Sequence, residues 1–158
     1  MTPLYQAMLS QAVTGQLLNV RDVSHFSAAE IRQTMADLVA TDRMDLANAL
    51  AAAGQSLYPE SEDILAMSAL LAEIQQHWSS AEELLHKLVQ AQGDTVTPLT
   101  WRHLIRVLRC QCEPGKAMQA ARQALAQYPQ DELLQEELES LQALVSDPMP
   151  LEAPEQLH

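Results

Sequence analysis

The stretch from Pro98 to Asp131 constrains the fold more than any other part of the chain. Over 34 residues it sets Trp101, Leu104 and Leu108 at helical spacing, breaks at Pro114-Gly115, and then sets Ala117, Ala121, Ala124 and Leu125 at helical spacing before Pro129. Proline cannot continue the hydrogen-bond ladder, so the spacing predicts two helices joined by a tight turn and lying antiparallel. Small side chains at Ala117, Ala121 and Ala124 let two backbones approach closely, and Trp101 and Leu104 fill the gap. One such pair cannot bury its own apolar face, so the rest of the chain must supply neighbours.

Those neighbours are legible at nearly constant period. Ser27 and Glu30 form a capping box that starts a helix at Ala28. A first pair then spans 28–61, with Ile31, Met35 and Leu38 on one helix, a turn at Thr41 to Arg43, Ala47 and Ala51 on the next, and Pro59 in the place of Pro129. A second pair spans 62–95, with Leu65, Ala69 and Ala72, then Trp78 near the turn, then Ala81, Leu85, Leu88 and Val89. Ser79 with Glu82, or Ser80 with Glu83, offers a cap for its second helix, and Gly93 a left-handed stop. Thr97-Pro98 opens the third pair, 98–131, after an insertion of two residues.

Residues 1–27 read as an N-terminal helix, started by Thr2-Pro3 and running to about Leu18, and a linker without clear period from Asn19 to Phe26. Residues 131–145 read as a capping helix, with Leu134, Leu138, Leu141 and Val145 as its apolar stripe and Glu132, Glu136, Glu137 and Glu139 on the wet side. Residues 146–158, with Pro148, Pro150 and Pro154, read as a disordered acidic tail.

A chain of 158 residues is one domain's worth, and a 47% apolar content with 4% aromatics means that Leu, Ala and Met fill the core, as in helices rather than sheets. The net charge of −12 disfavours nucleic acid, whose phosphates would repel it. Cys110 and Cys112, two apart on one helix, point to different faces and should stay reduced. Met1 to Leu9 does not read as a secretory signal, and no run is long enough to span a bilayer, so a cytoplasmic protein without membrane insertion is expected.

The third pair resembles the tetratricopeptide repeat (TPR): Trp101, Leu104, Ala117, Ala124 and Pro129 match its characteristic positions, while Ile105 stands where glycine is usual and Leu108 and Ala121 where aromatics are. Ala47, Ala81 and Ala117 recur just after each turn. The resemblance implies an all-α, right-handed α-α superhelix of three helix pairs between an N-terminal and a capping helix. Its concave groove would be lined by the first helix of each pair and would bind a protein or peptide segment. On that register the groove carries Arg32, Met67, Leu70, Ile74, Leu99, Arg102, His103, Arg106 and Arg109, with Glu73 and Cys110 also turned outward. The carboxylate clamp that some members use for chaperone C-termini is not matched, since Ala36, Met67, Leu99 and His103 occupy its positions beside Arg32. Size, acidity and architecture are also similar to the small bacterial TPR chaperones of type III secretion.

Arg102, Arg106 and Arg109 put three of nine basic residues on one helix face at spacings of four and three. They predict an anion-facing end of the groove beside an apolar Met67, Leu70 and Ile74 middle, or else internal pairing with Glu136, Glu137 and Glu139 of the capping helix. Chemistry finds no foothold. His103 and Cys110 lie two turns apart, too far for one metal ion, the thiols lack an activating partner, His77 and His86 lack a paired acid, and no glycine-rich phosphate loop is present. The expectation is a non-enzymatic interaction module without cofactor, chaperone or adaptor in kind. The alternative is a structural or self-associating scaffold, a homodimer included, that uses its convex or terminal helices.

Overall fold

A computed structural model describes residues 1–14 and 20–147, and among them all regular structure is helical, with no strand. The helices are α1 (Pro3–Thr14), α2 (Val20–Val23), α3 (Ala28–Ala40), α4 (Met44–Leu57), α5 (Glu62–Ile74), α6 (Trp78–Gln92), α7 (Pro98–Cys110), α8 (Pro114–Gln127) and α9 (Glu132–Ser146). A 3-10 turn, Gly93–Thr95, precedes α7. The expected extension of the first helix to Leu18 falls partly outside the described residues, as does the tail from Pro148. The linker expected to be aperiodic contains α2, because Val23 is wholly buried in the core that α1, α3 and α4 share.

Side chains that can hold the free N–H groups of a first turn start the helices. Ser27 caps α3 with Glu30 closing the box, and Ser61, Thr97 and Asp131 accept from the backbone three residues ahead at the starts of α5, α7 and α9. The caps expected for α6 are absent: its N-cap is His77, without a side-chain bond, because the preceding turn already directs the chain. That turn recurs. Asp42, Gln76 and Cys112 adopt φ of 57, 60 and 59°, and the N–H of the next residue reaches back to Leu38, Ala72 and Leu108 in turn. This is the Schellman ending of α3, α5 and α7, built without its customary glycine. Gly93 does need to be glycine, with φ 56° and ψ −120°.

Each turn folds one helix back on the next, and Ala47, Ala81 and Ala117 are all fully buried where the two helices meet. Gly54 carries the same logic further along α4: an added Cβ would come within 3.3 Å of Ile31 and Ile64. Hydroxyls lock the far ends of the first and third pairs, Tyr58 donating to the carbonyl of Phe26 at 2.7 Å and Tyr128 to that of Val96 at 2.6 Å. At the opposite ends, Gln75 exchanges amide bonds with Asn48 and Gln111 donates to Glu82, so each pair grips the preceding one.

Two apolar clusters meet at α5, which sends Ile64 and Leu71 to one and Leu65, Ala69 and Ala72 to the other. Trp101 is buried in the second, its indole N–H donating to Gln127, and Trp78 packs against the same cluster. α9 closes the end on Leu134 and Leu141, each worth about 1.5–3 kcal/mol of burial. Val145, expected in that stripe, is instead 54% exposed.

Candidate functional site

The first helix of each pair contributes to one face, and that face is interrupted between α5 and α7. α3 packs directly on α5, but α5 and α7 meet chiefly through α6 beneath them. The connection ahead of α7 is the longer one, carrying the Gly93–Thr95 turn, and the gap it leaves is a cavity of about 260 Å³. Met67 and Leu70 of α5 form one wall, Leu99 and His103 of α7 the other, Leu85 and Leu88 of α6 the floor, and Arg32 of α3 one end. Leu70 and Leu99 remain 38% and 56% exposed, an open apolar mouth over an apolar floor.

Leu99 and His103 also border a second cavity, of about 370 Å³, walled by Arg102, Arg106, Arg109, Cys110 and Glu137. The two therefore form one continuous groove, apolar over α5 and basic over α7. Eight of the nine expected groove residues line it; Ile74 lies outside both cavities at the end of α5, 46% exposed.

The three arginines of α7 have three different surroundings. Arg109 donates to Glu137 of α9 at 2.6 Å and to Ser140 at 3.3 Å, the internal pairing that is the alternative to ligand binding. Arg106 is largely exposed, with Nε 3.9 Å from Oε2 of Glu73, too long for a hydrogen bond. Arg102 has its Nε shielded from solvent and finds no acceptor among the described residues.

Glu73 is the residue that the sequence misplaces. Expected on the outward face, it is buried, its side chain only 2% exposed, with Oε1 2.9 Å from Nδ1 of His103. An ionised carboxylate can only accept, so His103 donates. Oε2 has no hydrogen-bond partner, and Glu73 is among the residues that line the apolar cavity. The setting is doubly unfavourable for a carboxylate, being desolvated and in the last turn of α5, where the helix dipole is negative. His103 and Arg106 are what make it tolerable.

Repeat arithmetic could have found this pair. Adding the period carries Glu73 onto Arg109 and His103 onto Glu137, so the Glu73–His103 and Arg109–Glu137 contacts are one contact made twice, with its polarity reversed. In the first pair the same two positions are held by Val39 and Met67, both partly buried.

Glu83 is held below the usual range by the hydrogen bond and charge of Lys87, and Asp45 by the backbone N–H of Leu46 first and then by Arg43. His86 does have an acid partner, Glu82 one turn back at 3.5 Å, on an exposed face. Cys110 and Cys112 are free, exposed thiols, and no group of three or more potential metal ligands gathers among the described residues. None of the described helices is long and apolar enough to cross a membrane. No protein-family model matches the chain, and no curated protein is significantly similar to it.

Proposed function

We propose that this protein is a non-enzymatic interaction module of tetratricopeptide type, whose three helix pairs form a right-handed superhelix that binds a segment of a partner protein in its concave groove. The observation that carries this reading is the open apolar cavity between α5 and α7, with exposed Leu70 and Leu99 at its mouth and unengaged arginine beside it. Large apolar side chains beside a preformed cavity suit capture of a partner's side chains, and Met67 adds a flexible thioether that tolerates more than one shape. A cytoplasmic chaperone or adaptor that holds a secretion substrate is the role this favours, in keeping with the architectural resemblance to type III secretion chaperones.

A second reading has its own support. Leu144 and Val145 are 61% and 54% exposed on the last turn of α9, and a scaffold that self-associates, as a homodimer or in a larger assembly, would use them. Site-specific photo-crosslinking separates the two. A crosslinker at Leu99 is expected to capture the partner, whereas one at Gln90 of α6 or at Leu144 is not. Capture from Leu144 alone would favour the scaffold, and capture from Gln90 alone would sink the groove.

A further inference from the structure

We infer that the groove's occupant is a polypeptide segment carrying a large apolar side chain next to acidic ones, the apolar group seated between α5 and α7 and a carboxylate held by Arg102 and Arg106. This rests on the groove reading and adds the chemistry of what fills it.

Charge complementarity carries the inference. The chain as a whole is strongly acidic, yet the larger cavity is walled by three arginines and one carboxylate, that of Glu137, which Arg109 already holds at 2.6 Å. Two guanidinium groups remain. The Nε of Arg102 is shielded from water and has no acceptor, and a shielded donor left unpaired is destabilising until an acceptor arrives. Arg106 is held only by a 3.9 Å contact to Glu73, which is already bonded to His103, so an incoming carboxylate displaces little. Arg102 and Arg106 lie one helical turn apart and present their forks on the same side.

Leu99 fixes the spacing of the occupant. It borders both cavities, so an apolar side chain in the first and a carboxylate in the second belong to residues close together in the bound segment. An inorganic anion would meet the arginines and leave the apolar mouth open. A basic segment would face Arg102 and Arg106 directly, since Glu73 is buried, its side chain only 2% exposed.

The test is fluorescence anisotropy on the full chain with a short labelled peptide centred on Leu-Glu-Glu-Leu, beside matched peptides centred on Ser-Glu-Glu-Ser and Leu-Lys-Lys-Leu. The first should bind, and each control should bind at least about tenfold more weakly. Arg102→Ala and Arg106→Ala should each weaken the first peptide about tenfold, Arg106→Lys should restore part of the loss, and Lys116→Ala, on α8 and outside both cavities, should change affinity less than about twofold. Circular dichroism of each variant establishes that it is folded. Equal or tighter binding of the lysine peptide, abolished by Leu70→Glu, would overturn the acidic chemistry and leave the groove standing. Peptide binding indifferent to both Leu70→Glu and Leu99→Glu would overturn the groove itself. No measurable binding of the Leu-Glu-Glu-Leu peptide at about millimolar concentration and low salt would also reject the inference.

Discussion

Glu73 and His103 are unequal partners, and that inequality gives a stability measurement with a definite sign. The Glu73 side chain is 2% exposed, whereas those of His103 and Arg106 are 29% and 64% exposed. Removing Glu73 leaves two groups that water can still reach. Removing His103 leaves a buried carboxylate with one long contact to Arg106 and the unfavourable end of a helix dipole. Stranding a fully buried charge costs about 3–5 kcal/mol. Here the truncation also opens the cavity wall to water, so His103→Ala should cost about 1–3 kcal/mol. Glu73→Leu fills the same space with apolar atoms facing Leu85 and Leu88 across the cavity and should cost less than about 1 kcal/mol. In the Glu73→Leu background, His103→Ala should then cost under about 0.5 kcal/mol, a coupling of at least about 1 kcal/mol between neighbours. Urea titrations of the four proteins, with slopes checked for constancy, measure all of this. If Glu73→Leu proved the more damaging change, or if the two losses simply added, the account of Glu73 as a carboxylate sustained by α7 would be wrong.

Two further expectations concern the scaffold. Gln76→Gly should stabilise the protein by about 0.5–1 kcal/mol, since a non-glycine residue at φ 60° costs about 1–2 kcal/mol and glycine returns part of that as chain entropy; a lowered thermal midpoint would contradict the Schellman assignment, and Cys112→Gly should behave alike. Ala117→Leu, at a wholly buried crossing of α7 and α8, should cost about 1–3 kcal/mol by overpacking, and thermal unfolding like that of the parent would mean that the crossing lies elsewhere.

The paired helices and α9 were legible because most of them announce themselves locally, whereas α2 carried no such signal. Ser27 with Glu30, Thr97 with Pro98, and the alanines after each turn act within a few residues of where they stand. The turns were harder to read, since Asp42, Gln76 and Cys112 hold left-handed conformations that glycine would have signalled. Ser79 and Ser80 offered caps that α6 does not use, because His77 is already placed by its bond to Ala72. The groove residues were expected from the repeat register that the resemblance implies, and eight of those nine residues line the two cavities. Depth did not follow. Glu73 and Ile74 are adjacent at the end of α5, yet the carboxylate is buried and the isoleucine exposed. What decides between them is α7, whose His103 reaches Glu73 while Ile74 stays exposed.

The repeated contact along this face explains why the arginines do not act as a single row. At the second step it is Glu73 with His103 and at the third Arg109 with Glu137, while the equivalent positions of the first step hold the partly buried, apolar Val39 and Met67. A position used for holding one pair to the next is not free to bind anything else, and Arg109 occupies such a position. Arg106 and Arg102 sit at positions that Leu70 and Ala66 occupy one pair earlier; Arg102 makes no bond to the preceding pair, and Arg106 reaches it only through the 3.9 Å contact to Glu73. The face therefore divides into residues that join the pairs and residues that line the space between them. The apolar lining at Leu70 gives way to a cationic lining at Arg106 within a single repeat. A ligand that follows the groove must change character over the same short distance, and a segment with its apolar and acidic side chains close together does so.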